Sequence, residues 1–335
     1  MEALFNDFRA YIAKNSQLEP VFEKIPVDSM PVHKWVGGII ADGTLYGVIN
    51  SAPSMLALDI ETKQARLIGN FDEAPFKWSG ACQIEDRLYL FPRAARGLLC
   101  YEPARGSFRE YPSRRCYGGE HHYGGVWAAG KIWQPPRNTD HLLIWEPDGA
   151  CTELQVADHP VHYCGSVLHP NGCVYFLPER NEPVLCLEPQ NGTVTPLTPP
   201  VSTMVFDAKV AADGCIYGYS SASGLMRLDV RAGVCEMLYP EIPFRAYGTK
   251  FGANGRLYSL PGWNGALWEF TLQKGTLRQV YTCDGTAEVH FAGGACDANG
   301  NIFAVPVFED YVLKIDFGGE KIPPVLHEVF FKDNY

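Results

Sequence analysis

The sequence predicts an all-β fold: a seven-bladed β-propeller of four-stranded antiparallel blades, with a short N-terminal helix. Three observations carry that prediction. Aromatic residues recur at Tyr46, Tyr89, Trp133, Tyr175, Tyr217, Tyr258 and Phe303, with spacings of 43, 44, 42, 42, 41 and 45. A period in that range corresponds to one blade per repeat. The residue before each aromatic is aliphatic: Leu45, Leu88, Ile132, Val174, Ile216, Leu257, Ile302. Three before it stands a turn residue, Gly43, Asp86, Gly130, Gly172, Gly214, Gly255 or Gly300, five of them preceded by Asp or Asn. Such pairs suit the positive-φ positions of a tight hairpin.

The elements follow in order. Residues 2–14 place Leu4, Phe5, Phe8, Tyr11 and Ile12 at helical spacing, so an amphipathic helix is expected. Residues 21–25 read as a strand that should pair with the last blade and close the ring; residues 322–331 compete for the same slot. Within each repeat the innermost strand alternates apolar residues (Ile39, Cys82, Val126, Leu168, Val210, Phe251, Cys296) with small ones (Gly37, Gly80, Gly124, Ser166, Ala208, Thr249, Gly294). That period-2 pattern marks a strand packed tightly on one side. The second strand runs outward and often stops at proline: Pro92, Pro136, Pro178, Pro261, Pro306. The third is an apolar run closed by Asp59, Glu102, Glu146, Glu188, Asp229 or Asp316, with Thr271 in the sixth repeat. These acids are expected to accept backbone N–H groups in the next turn. A short fourth strand completes the blade. Residues 1–30 (helix and closing strand) and 31–335 (the propeller) form one domain.

Composition narrows the partners. A net charge of −10 disfavours nucleic acid. No apolar run approaches the roughly 20 residues of a membrane span. The eleven cysteines form no CxxC pair, and residues 1–30 lack the features of a secretion signal. Free thiols and a cytoplasmic location are therefore expected. Cys164, beside His162, is the candidate reactive thiol.

The functional expectation rests on where cations fall. The starts of the innermost strands and the loops after the second strands ring one face of a propeller, where ligand sites are common. Twelve residues before the aromatics stand Lys34, Lys77, His121, Tyr163, Val205, Ala246 and Phe291. One earlier stand His33, Phe76, Glu120, His162, Met204, Arg245 and His290. A one-residue slip in the last four blades would merge these into Lys34, Lys77, His121, His162, Val205, Arg245 and His290, but the other columns favour no gap. Either way, six blades offer a cation or imidazole to one rim. Arg93, Arg96 and Arg137 join them from the loops. Tyr123, Asp207, Lys209 and Lys250 are expected deeper in the channel. Cations gathered at one pole of an acidic chain repel one another unless an anion joins them. The ligand set expected is Lys34, Lys77, Arg245, His33, His290, Arg93, Arg137 and Lys250. A divalent metal on His33, His121, His162 and His290 is a further expectation. Trp35, Trp78, Phe206 and Tyr247 have the parity of core residues.

The repeats resemble bacterial seven-bladed propellers of the YVTN and streptogramin-lyase group. The closest likeness is Ala129-Gly130-Lys131-Ile132-Trp133 followed by HLLIWEPDGACTEL at 141–154. It covers the whole chain as architecture and is repeat-deep in sequence. The resemblance implies chemistry such as β-elimination from uronate oligosaccharides or streptogramins, using histidines and a divalent metal. No family catalytic motif maps residue by residue. An enzyme reading would use His121 or His162 as base, Tyr123 as proton donor, and Lys34, Lys77 and Arg245 on the anion. The ligand would be an anionic small molecule or oligosaccharide. Two further readings remain: a scaffold binding an acidic peptide, marked by exposed Trp263, Phe308 and Tyr311, and a carbohydrate-binding sensor without chemistry.

Overall fold

The computed structural model describes residues 1–27, 33–116, 121–285 and 287–332. They form seven four-stranded antiparallel sheets arranged as a propeller. The innermost strands are Trp35–Ala41, Trp78–Ile84, Val126–Ala128, Tyr163–Leu168, Lys209–Val210, Thr249–Phe251 and Phe291–Cys296. Close approach near the axis explains the small residues there. Gly37 and Gly293 have φ of +87° and +72°, and a Cβ on Gly293 would lie 2.7 Å from the Cα of Gly37. Only glycine meets both demands.

The N-terminal strand Val21–Pro26 wins the ring-closing slot, pairing along Tyr311–Asp316 from Val21↔Asp316 to Pro26↔Tyr311. Residues 322–331 do not compete. Pro323 starts a short helical segment, Pro324–Leu326, which continues as a π-turn over His327–Phe331. That segment and the helix Glu2–Asn15 pack together against the base of the propeller. Phe5, Phe8 and Ile12 of the helix are buried with Phe330 and Phe331 in the largest apolar cluster. The acidic column does what its turn position demands: Asp59 Oδ1 accepts the Thr62 N–H at 2.7 Å, and Asp229 Oδ1 those of Arg231 and Ala232 at 3.0 and 3.1 Å.

The strand pairings correct the gap-free alignment. In blades 1 to 3 the aromatic of the second strand pairs with the residue seven before it: Tyr46 with Ile39, Tyr89 with Cys82 and Trp133 with Val126. In blades 4 to 7 it pairs with the residue eight before it, Tyr175 with Val167, Tyr217 with Lys209, Tyr258 with Lys250 and Phe303 with Ala295, so these hairpin loops are one residue longer. In each longer loop an Asx side chain accepts the N–H two residues on: Asn171, Asp213, Asn254 and Asp297, at 2.8–3.1 Å. The extra residue lies in the hairpin at the base, so everything before it shifts by one relative to the aromatic. The merged column is the structural one, with Met204 in the fifth blade. Its carbonyls each accept an N–H from the loop after the second strand: Lys34 from Asn50, Lys77 from Arg93, His121 from Arg137, His162 from Glu179, Met204 from Ser221, Arg245 from Trp263 and His290 from Val307.

Candidate functional site

Two columns meet at the mouth. One is the residue after the merged column's neighbour, which lines the axis: Val36, Ser79, Tyr123, Cys164, Phe206, Tyr247 and Ala292. The other follows the second strands: Asn50, Arg93, Arg137, Glu179, Ser221, Trp263 and Val307. Val36, Tyr123, Cys164, Phe206, Ala292 and Val307 close the channel as an apolar cluster, with Tyr247, Trp263 and Phe308 half-buried against it.

The contacts trace an arc of rings and guanidinium groups. Phe308 meets His33 edge-on at 5.7 Å, and His33 meets Phe76 at 6.1 Å. The Arg93 guanidinium lies 4.3 Å from the Phe76 ring centre and 5.1 Å from that of Tyr123. Arg137 reaches the same Tyr123 ring at 5.4 Å. Tyr123 packs on Phe206 at 5.1 Å, Phe206 on Tyr247 at 4.8 Å, and Tyr247 on Trp263 at 4.3 Å. A guanidinium held over ring faces is favourable, and its planar fork matches carboxylate geometry. Arg137 also holds Glu179 through Nε at 2.8 Å and a second nitrogen at 3.3 Å.

The other predicted ligand-binding residues are placed as follows. Lys34 is fully buried (0 % exposed) beside the Trp35 ring, and its ammonium donates to the Glu309 carbonyl. Lys77 is also buried and donates to the carbonyls of Asp72 at 2.6 Å and Ala74 at 3.1 Å. A buried ammonium must be hydrogen-bonded, and these loop carbonyls serve that need rather than a ligand. Burial pushes both lysines below the usual range. Lys250 forms a buried ion pair with Asp207 in the channel, where Asp207 also accepts the Thr249 N–H at 3.2 Å. Lys209 points to the base and donates to the carbonyls of Phe331 and Lys332. Arg245 is exposed on the rim. Arg96 lines a separate recess of about 460 Å³ on blade 2, with Phe71, Lys77, Trp78 and Glu110.

The four histidines proposed as metal ligands do not converge. Among the described residues no three His, Cys, Asp or Glu side chains gather as a metal set. His290 Nδ1 sits 2.5 Å from Glu309 Oε1, with its other nitrogen against Gly265. His33 Nδ1 is 3.1 Å from Asn50 Oδ1, and His121 Nδ1 is 3.3 Å from the Asn138 carbonyl. His162 is half-buried; burial and then Arg180 push its pKa below the usual histidine value. The described residues do not fit a shared divalent ion. Glu120, in the same column, lies outside the described residues.

Three sequence expectations are overturned here. Phe206 and Tyr247 line the mouth rather than the blade core, because the hairpin shift reverses their parity; Trp35 and Trp78 do pack in the core. Tyr311 is buried in the closing sheet, opposite Pro26. Cys164 is fully buried with its Sγ donating to the Val205 carbonyl at 3.3 Å, and burial lifts its thiol well above the usual range. That is the setting of an inert cysteine. Glu179 and Ser221 were missed. The signal was present: Arg93, Arg137, Glu179 and Val307 each follow the proline that ends a second strand.

The fold and this ringed mouth define the class as a seven-bladed β-propeller with an aromatic and arginine-bearing channel entrance. No protein-family profile matches the chain, and no curated protein matches it. Among solved structures it is similar to a streptogramin B lyase at 15 % identity and a TM-score of 0.75, covering 89 % of this chain and 97 % of that one. A catalytically inactive histidine variant of virginiamycin B lyase from Staphylococcus aureus, solved with quinupristin, matches at 14 % identity and 0.75, covering 89 % and 99 %. The WD40 propeller domain of Doa1 matches at 13 % and 0.64, covering 88 % and 97 %. At such identities the likeness establishes the fold alone. Among the described residues no helix is long and apolar enough to cross a membrane.

Proposed function

We propose that the channel mouth binds a small organic anion, with Arg93 and Arg137 on the anionic group and the surrounding rings against its body. The observation that supports this best is the pair of guanidinium groups flanking the one buried Tyr123 ring, 5.1 and 5.4 Å from its centre. Guanidinium is the side chain best matched to a carboxylate. The ligand-binding set narrows from the sequence expectation to Arg93, Arg137, Tyr123 and His33, with Arg245 at the rim. The reading is tested by calorimetric titration with carboxylates, beginning with galacturonate and 3-phenylpropionate. Arg93→Ala should weaken binding by about tenfold or more, since a hydrogen bond to a charged group is worth about 1.5–3 kcal/mol. Unchanged affinity in Arg93→Ala would remove the anion site.

A lyase activity at the same mouth is the chemical form of this reading, in keeping with the similarity to streptogramin lyases. His162 would take the proton α to the carboxylate, the bond to the β-leaving group would break as the double bond forms, and the Tyr123 phenol would protonate the leaving group. The guanidinium groups would stabilise the enolate-like charge. Because His162 is held below its ordinary pKa of 6.5, it is neutral at pH 7. Activity should therefore stay flat as pH falls through 7 and drop only below about 6.5. A pH–rate profile falling already between pH 8 and 7 would exclude His162 as the base.

A second reading, a scaffold for an acidic peptide, is favoured by half-buried Trp263 and Phe308 and exposed Arg245 on the same face. Binding of an acidic peptide that competes with neither carboxylate would favour it. The cysteines, all free thiols, support a reducing compartment such as the cytoplasm.

A further inference from the structure

The mouth is divided. Blades 2 to 4 contribute Arg93, Arg137, Glu179 and half-buried His162. Blades 5 to 7 contribute Phe206, Tyr247, Trp263 and Phe308, with Arg245 exposed on the rim and His290 held by Glu309. The Tyr247 and Trp263 rings lie 4.3 Å apart at 34°, and Phe206 leans on the other side of Tyr247 at 4.8 Å. Trp263 remains half-buried, so part of it stays exposed beside these rings.

In the position equivalent to Trp263 in the adjacent blade stands Ser221. Its column-mates Arg93, Arg137 and Trp263 all reach the rings at the mouth. Ser221 is 5 % exposed, and its Oγ is buried with no hydrogen-bond partner. A buried hydroxyl without a partner costs about 1–3 kcal/mol and calls for a polar group to meet it. A saccharide needs many donors and acceptors around its ring; this half of the mouth offers ring faces and two hydroxyls, those of Tyr247 and Ser221.

We infer that the mouth selects an aromatic carboxylate carrying a polar substituent on its ring. The ring stacks on Trp263, the substituent meets Ser221 Oγ, and the carboxylate lies across Tyr123 toward Arg93 and Arg137. This rests on the anion-binding reading and decides between its two ligand classes. Trp263 is then the residue that sets specificity.

The test is calorimetric titration of the full chain with 3-(4-hydroxyphenyl)propionate, 3-phenylpropionate and galacturonate. The two aromatic acids should bind more tightly than galacturonate by at least tenfold. Trp263→Ala should weaken both aromatic acids about tenfold, and Trp263→Phe should restore most of that loss. Ser221→Ala should weaken only the hydroxylated acid, by about fivefold. Circular dichroism and melting curves on each variant separate lost contacts from lost folding. If galacturonate binds as tightly and Trp263→Ala leaves all three unchanged while Arg93→Ala still abolishes binding, the aromatic assignment falls and the anion site stands. If none of the three binds, or Arg93→Ala changes nothing, both fall.

Discussion

Glu269→Ala is expected to cost the folded chain about 3–5 kcal/mol, the range for removing one partner of a buried charge network. Glu269 is 2 % exposed and lies between Arg256 and Arg278, with the Tyr258 hydroxyl donating to it at 2.7 Å. Arg256 also bonds the Ser16 carbonyl at 2.8 Å and Glu19 at 3.0 Å. One carboxylate thus ties the segment after the N-terminal helix to blade 6. Without it the partly buried Arg256 keeps the Ser16 carbonyl and, as charge partner, the more exposed Glu19. Glu269→Gln keeps the shape and should cost less than alanine. The same network predicts acid lability. Burial raises the Glu269 pKa, but Arg278, Tyr258 and Arg256 together outweigh it, and the net shift is downward. A depressed carboxylate contributes stability that is full above its unfolded value of about 4.5 and is lost as pH falls through the lower folded value. The stability of the wild type measured by urea denaturation should therefore fall below about pH 4.5, and Glu269→Gln should flatten that dependence. An alanine variant within 1 kcal/mol of wild type would show that the network is dispensable.

Phe8→Ala should cost a similar amount, about 3–5 kcal/mol, the usual range for emptying a buried phenylalanine site. The Phe8 ring is fully buried, stacks on Phe330 at 4.0 Å, and meets Phe251 and Phe331 edge-on at 5.5 and 5.7 Å. It joins the N-terminal helix, the π-turn and the innermost strand of blade 6. Melting curves check the loss. A Phe8→Leu variant should recover part of it, because it restores apolar volume without the stack. If alanine is tolerated with no shift in melting, the helix is an appendage rather than part of the core.

The blades were legible because their signals are local and repeated. Tyr46, Tyr89 and their fellows mark each second strand, and Asp59 or Asp229 marks each third turn. The site was half legible. Lys34 and Lys77 fall in one column as read, and His290 joins it once the hairpin shift is allowed, but a column fixes backbone position and not side-chain direction. Lys77 turns to the loop carbonyls just before it, His290 to Glu309 in the following loop, and Lys34 to the Glu309 carbonyl from the far end of the chain, which local spacing cannot reveal. The parity of Phe206 and Tyr247 was misread for a narrower reason: one added residue in the hairpins of blades 4 to 7 flips the facing of every position before it. Arg93 and Arg137 were found because their loops are short and adjoin the strands that fix them.

Pairing Val21–Pro26 with Tyr311–Asp316 has a kinetic consequence. The seventh sheet cannot be completed until one of the earliest strands meets one of the last, so the final step of folding closes a loop of nearly the whole chain. Such non-local closure is slow, and until it happens the edge of Tyr311–Asp316 stands open to any matching strand. At high concentration the strand that arrives first can belong to a second molecule, giving exchanged dimers in which each ring is sealed by its neighbour.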